Sequence, residues 1–174
     1  MKKLLAICLL IIPFIVQGHF CRKISNGSSV CLIDTTAITL NHAEFRVFGY
    51  AKYNKPIGFA LEAKLNGKYI IPKGTPMLIK LGNGEIKEVG CLKEAETTKE
   101  KGQYLYFDYT WPQYELNDTL ISLIKEHGIQ KIRIEVENDF KDFDITVGQS
   151  KEIIECLDYV ASDISKRKTL YDDF

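Results

Sequence analysis

Apolar positions along this chain fall into three regimes: one unbroken run at the start, alternating stretches through the middle, and helical stripes toward the end. The run extends from Leu4 to Val16. Between residues 36 and 49, Ile38, Leu40, Phe45, Val47 and Phe48 alternate loosely and predict one or two strands. Phe59, Leu61, Ala63 and Leu65 recur with period two around Ala60, Glu62 and Lys64, which predicts a half-buried strand. Asn66-Gly67 then reads as a hairpin turn, with Lys68 to Ile71 returning and Pro72-Lys73-Gly74 ending the return. Met77 to Leu81 and Glu85 to Leu92 predict two more strands around the tight turn Gly82-Asn83-Gly84. Lys93 to Gly102 is charged and reads as a solvated loop, and Gln103 to Trp111 as an aromatic strand.

The period changes after Trp111. Leu116, Leu120, Leu123 and Ile124 form one helical stripe, with Asn117 or Asp118 placed to cap it and Gly128 placed to stop it. Ile129 to Val136 alternates again, with Ile132, Ile134 and Val136 inward and Arg133, Glu135 and Glu137 outward. A last helix is expected from near Ser150. Its stripe is Ile153, Leu157, Val160 and Ile164, and its end is basic, from Ser165 to Lys168. Residues 169–174 are expected to fray. Both helices carry one apolar stripe, so each suits the face of a sheet. The expected class is α+β, with an antiparallel or mixed sheet of about six or seven strands and two amphipathic helices near the C-terminus.

The opening run sets the address. Lys2 and Lys3 precede it, and Val16-Gln17-Gly18 offers a signal-peptidase site. It is too short to span a bilayer comfortably and contains Pro13. A lipid anchor needs a small residue before its cysteine, but Cys21 follows Phe20 and Cys8 follows Ile7. Residues 1–18 therefore read as a cleaved signal peptide and 19–168 as a single domain. The chain is exported on this reading, to the periplasm or the cell surface. Loss of Lys2 and Lys3 leaves 21 basic against 23 acidic residues. Such a balance gives no field to hold nucleic acid, and no second run approaches membrane-spanning length.

Export changes how the cysteines read. Cys8 leaves with the signal, and Cys21, Cys31, Cys91 and Cys156 remain. Four cysteines in an oxidising compartment allow three disulfide pairings. Cys21 with Cys31 would close a short loop through Asn26-Gly27-Ser28-Ser29. Cys91 and Cys156 either form a second bond or are buried small hydrophobes.

Candidate chemistry is sparse. His19, His42 and His127 are not at metal-ligand spacing, and no metal, cofactor or phosphate motif is present. His127 ends a predicted helix, where a cation favours the dipole. No GxSxG elbow occurs, and a Cys91–His127 pair has no supporting signature. No catalytic residue is assigned. Glu135, Glu137, Asp139, Asp142 and Asp144 cluster, with a solvated sheet face as the plain explanation and an acid/base pair as the sharper one. On the aromatic strand, Leu105, Phe107, Tyr109 and Trp111 share one face, and Tyr104, Tyr106 and Asp108 the other. Either both faces are covered, or Tyr104 and Tyr106 form an exposed patch suited to a partner. Tyr104, Tyr106 and Trp111 are the candidate contact residues.

The segment Leu78-Ile79-Lys80-Leu81-Gly82-Asn83-Gly84-Glu85-Ile86 is followed by Tyr114-Glu115-Leu116-Asn117, and Ile129-Gln130-Lys131-Ile132-Arg133-Ile134-Glu135 comes after. This order, over about residues 57 to 165, resembles small uncharacterised exported proteins of Bacteroidetes. The resemblance implies architecture and compartment and carries no activity. It also implies an O-glycosylation pattern, matched at Asp34-Thr35-Thr36 and at Asp118-Thr119-Leu120. Capping explains the second match, which leaves Thr35. Two functions follow as expectations. The first is a non-enzymatic periplasmic or surface domain binding a protein or envelope ligand. The second is a small envelope hydrolase using acids such as Glu135 and Glu137. Intact-mass measurement of the natural protein is expected to give a chain starting at His19. Retention of Met1 would remove the signal-peptide reading.

Overall fold

The computed structural model describes residues 19–23, 29–40, 43–52, 55–102, 105–137 and 139–171, with side chains described for 43–49, 58–102, 105–137 and 139–162. The expected signal segment, Cys8, His42 and Tyr104 lie outside the described residues. Among those described, eleven strands and two helices form an α+β fold. The strands are β1 (His19–Lys23), β2 (Ser29–Leu40), β3 (Ala43–Lys52), β4 (Lys55–Asn66), β5 (Pro76–Leu81), β6 (Ile86–Gly90), β7 (Glu96–Lys101), β8 (Tyr106–Trp111), β9 (Gln113–Leu116), β10 (Ile129–Val136) and β11 (Asp139–Asp144). The helices are α1 (Asp118–His127) and α2 (Val147–Tyr171).

The expected single sheet is in fact two antiparallel sheets. Seven strands make the larger, in the order β1-β2-β3-β4-β8-β7 with β9 also on β4, and four make the smaller, in the order β11-β10-β5-β6. β8 and β9 are one run interrupted at Pro112, which has no N–H for a ladder. The β8 piece meets β4 at Leu65 and Asn66, and the β9 piece meets it from Phe59 to Glu62. The sheets join where Cys91, just after β6, bridges Tyr114 of β9, and Leu92 N donates to the Gln113 carbonyl at 2.8 Å.

Among residues whose side chains are described, the period-two positions of β4, β5 and β10 face one core together with Phe45 and Val47. Phe45 and Val47 of β3, Leu61, Ala63 and Leu65 of β4, and Tyr114 and Leu116 of β9 bury the inner face of the larger sheet. Met77, Ile79 and Leu81 of β5, Ile132, Ile134 and Val136 of β10, and Phe143 of β11 bury the inner face of the smaller. Phe45 and Phe143 meet across this core edge to face, centroids 5.3 Å apart. Leu120, Ile121 and Ile124 of α1 and Ile153, Leu157 and Val160 of α2 complete the cluster, and α2 packs mainly on β2 and β3.

Local chemistry sets the joints. The Asn117 side chain accepts from Leu120 N at 2.8 Å and caps α1, and Gly128, at φ 70°, stops it. Gly84, at φ 87°, closes the β5–β6 hairpin. Gly82 has a different reason: a Cβ there would stand 2.0 Å from the His127 carbonyl oxygen, so only glycine lets the hairpin pass under the end of α1. α2 starts at Val147, earlier than the expected Ser150. Thr146 and Gln149 form a capping box, with Thr146 N donating to Gln149 Oε1 at 2.9 Å and Gln149 N to Thr146 Oγ1 at 3.3 Å. The helix also continues to Tyr171, into the segment expected to fray.

Three other expectations change. Lys68 to Ile71 is not a returning strand. Its Tyr69 N donates to Thr110 Oγ1 and its Ile70 N to Glu137 Oε1, so the chain crosses toward the smaller sheet. Residues 96–101 form edge strand β7 instead of a loop; all six residues are exposed, so no alternation marks them. Its lysines also guard the open edge. The acidic stretch after Val136 contains β11, with Phe143 turned inward.

Two buried polar groups make a contrasting test. Ser150 Oγ accepts from the buried Ile129 N at 2.7 Å and ties α2 to β10. The Tyr114 hydroxyl is buried with no hydrogen-bond partner among the described residues, and burial pushes its pKa far up. Ser150→Ala is expected to cost about 1–3 kcal/mol by orphaning the amide, and Tyr114→Phe to be neutral or stabilising within ~1 kcal/mol. Chemical denaturation checks both; a large loss in Tyr114→Phe would show that the hydroxyl has a partner.

Candidate functional site

Alternation on β8 sends Phe107, Tyr109 and Trp111 to the outer face of the larger sheet. In the β7–β8 register these stand opposite Glu100, Thr98 and Glu96. The inner face of the same ribbon shows at Thr110, which is buried and donates to the Gly67 carbonyl at 2.9 Å. On the neighbouring strands, Glu62 of β4 stands between Arg46 of β3 and Gln113 of β9. Arg46, Phe48, Glu62, Lys93, Glu96, Thr98, Glu100, Trp111 and Gln113 line an open groove of about 490 Å³.

The groove is cross-braced. Trp111 Nε1 donates to Thr98 Oγ1 at 2.8 Å. The Arg46 guanidinium lies 4.9 Å from the Trp111 ring centroid, and Lys64 Nζ lies 4.1 Å from that of Tyr109 and 4.9 Å from that of Trp111. Lys64 also pairs with Glu100 at 2.7 Å, Arg46 with Glu44 at 2.7 Å, and Lys93 with Glu96 at 2.6 Å. Gln113 Nε2 donates to Glu62 Oε2 at 2.6 Å, which gives that buried carboxylate a donor. Charges of both signs thus surround an aromatic wall, and each cation over a ring contributes about 0.5–1 kcal/mol at this exposure.

Beyond the groove the β7–β8 ribbon projects past the sheet, since β8 touches β4 only at its far end. At the described start of its second strand, Leu105, Tyr106 and Phe107 are 67, 68 and 49% exposed. Gly102 N donates to the Leu105 carbonyl at 2.8 Å. A Cβ on Gly102 would lie 2.6 Å from the Phe107 ring, so this glycine makes room for the ring across the hairpin.

The candidate contact residues divide as the alternation read them, with Tyr106 on one face and Trp111 on the other beside Phe107 and Tyr109. Of the two alternatives for Tyr106, exposure is the one found. Arg46, Glu62, Lys64, Thr98 and Gln113 escaped sequence reading as a set because they arrive from four different strands. Their one signal was the polar alternate in β4, where Glu62 and Lys64 separate buried Leu61, Ala63 and Leu65.

The acidic cluster does not converge. Asp142 accepts from Arg133 Nε and Nη2 at 2.5 and 2.7 Å and pairs with Lys131 at 2.8 Å. The Arg133 and Lys131 hydrogen bonds hold its carboxyl well below the usual range. Glu137, at φ 48°, is committed to Ile70 N, while Asp139 and Asp144 are exposed. Glu135 and Glu137 line neither the groove nor a second, 190 Å³ depression bordered by Leu78, Ile86, Lys80, Lys131 and Arg133. Among the described residues, no group of His, Cys, Asp or Glu is arranged to hold a metal ion, and no helix is long and apolar enough to cross a membrane. Cys91 Sγ donates to the Lys93 carbonyl at 3.0 Å and no disulfide joins it to Cys156, so of the two alternatives for this pair the second bond is not formed.

Compared with protein-family models, curated proteins and solved structures, the chain matches none of them.

Asp142 makes a pH test. Its folded pKa is depressed, so its stabilisation is present above the ordinary value of 3.8 and is lost as pH falls through the folded value. Asp142→Asn is expected to cost at most about 1 kcal/mol at neutral pH, because the group is partly exposed. The gap from wild type should narrow below pH 3.8. Thermal melts across pH check this; a gap that widens in acid would contradict it.

Proposed function

We propose that this chain is an exported, non-enzymatic domain that binds a protein partner in the cell envelope through its β7–β8 hairpin. The observation that carries the reading is the run Leu105, Tyr106 and Phe107, exposed on a projecting ribbon and continuous with the groove at Trp111. Exposed aromatic anchors supply large contact area, and such anchors dominate the energetics of protein interfaces. Paired charges around the groove suit a polar rim, which contributes register more than affinity. The near-neutral charge speaks for a protein over a nucleic acid. Export rests on the opening run and on the resemblance to exported Bacteroidetes proteins. Glu135 and Glu137 lend no geometric support to a carboxylate hydrolase.

A photo-crosslinking residue placed at Tyr106, with a second version at Phe140 as an exposed control on the other sheet, tests the proposal in intact cells. One discrete protein adduct is expected from position 106 and none from 140. Leu105→Ser with Phe107→Ser should weaken capture by roughly tenfold or more, since hot-spot losses run to ~2 kcal/mol. No adduct from 106, or the same adducts from both positions, would overturn the reading.

A further inference from the structure

We propose that Cys21 and Cys31 form a disulfide that fastens the edge strand β1 to β2. The two strands pair antiparallel in an unshifted register from His19↔Ile33 to Lys23↔Ser29, and Cys21 is directly opposite Cys31. Directly opposed residues in such a ladder have Cα atoms about 4.5 or 5.5 Å apart, according to the type of pair. Both separations lie inside the ~4.4–6.8 Å range a disulfide accepts. Opposed residues also share a face, and a slip of one residue would send the two cysteines to opposite faces. The register therefore matters more than the closeness of residues 21 and 31 in sequence.

The position gives the bond a use. β2 is held on its other side by β3, in a register from Val30↔Lys52 to Leu40↔Ala43, and by α2. β1 ends the sheet, and β2 is its neighbour there. An edge strand held from one side opens more readily than a central one, and a covalent cross-link removes that mode of opening. Cys91 is buried and its thiol already donates to the Lys93 carbonyl.

The reaction is ordinary thiol–disulfide exchange. One cysteine thiolate attacks an acceptor disulfide, either an oxidised thiol oxidase or oxidised glutathione, and releases one acceptor thiol. The second thiolate then attacks the mixed disulfide and releases the other. Two thiols lose two protons and two electrons, one S–S bond forms, and the acceptor disulfide becomes two thiols. Formation in cells rests on the export proposed above; the register does not.

The full-length chain, reduced and then equilibrated with a reduced/oxidised glutathione mixture, tests the bond by peptide mapping. The expected result is a loss of two hydrogens in mass and a linked Cys21–Cys31 peptide, with neither joined to Cys91 or Cys156. Val30→Cys combined with Cys31→Ser moves the thiol one register place and is expected not to close. Free or glutathionylated Cys21 and Cys31, linkage to Cys91 or Cys156, or equal closure in the shifted variant would each overturn the proposal. A bond that forms in the redox buffer but is missing from the protein taken from cells upholds the register and counts against export.

Discussion

Closure of two antiparallel sheets on one apolar layer is the constraint on which everything else in this molecule depends. β4 and β10 supply its central rows, and Phe45 against Phe143 bridges them. Each buried Leu or Ile side chain contributes about 1.5–3 kcal/mol by leaving water, so the two faces stabilise the fold only together. Two joints hold that closure. Cys91 bridges Tyr114 where the sheets meet, and Ser150 ties α2 to the start of β10. At the hairpin below α1, Gly82 leaves room for a carbonyl that any side chain would strike.

Closing the core on one side decides what the other side presents. The outward alternates of β3, β4, β8 and β9 are Arg46, Glu62, Lys64, Trp111 and Gln113. They meet because their strands are neighbours, although the chain separates them widely. The same geometry frees the β7–β8 ribbon. Pro112 bends the strand, β9 keeps the place beside β4, and β8 is carried outward with its aromatic residues toward solvent. The exposed ribbon is thus a consequence of the core and the proline, and the contact surface proposed for this domain is built from both.

Much of the core was legible before the fold. The period-two stretches of β4, β5 and β10, the stripe of α1 and that of α2 from Ile153 to Val160 turn the named residues inward, because burial on one face leaves a strong periodic imprint. The imprint fails where burial is absent or split. β7 is exposed throughout and left no pattern. β11 buries Phe143 but exposes Phe140, and its acids masked the alternation. The capping box at Thr146 and Gln149 was written in the chain, but the apolar stripe of α2 begins a turn further on and drew the boundary inward. In the candidate site, Tyr106 and Trp111 were named and their opposite faces were legible from the alternation, but the polar residues that meet Trp111 from other strands were not.

By itself the sequence determined which residues leave water, where α1 is capped and stopped, where β5 turns into β6, and that both helices lie against sheets. These are local matters of period, capping and turn chemistry, decided within a few residues. The tertiary structure alone decided that there are two sheets instead of one and that Arg46, Glu62 and Trp111 share a groove. It likewise decided that Asp142 is spent on Arg133, and that Cys21 stands opposite Cys31. Each of these depends on the register between strands distant in the chain or joined by a turn. Register is chosen by the burial of the whole layer, which no local stretch contains.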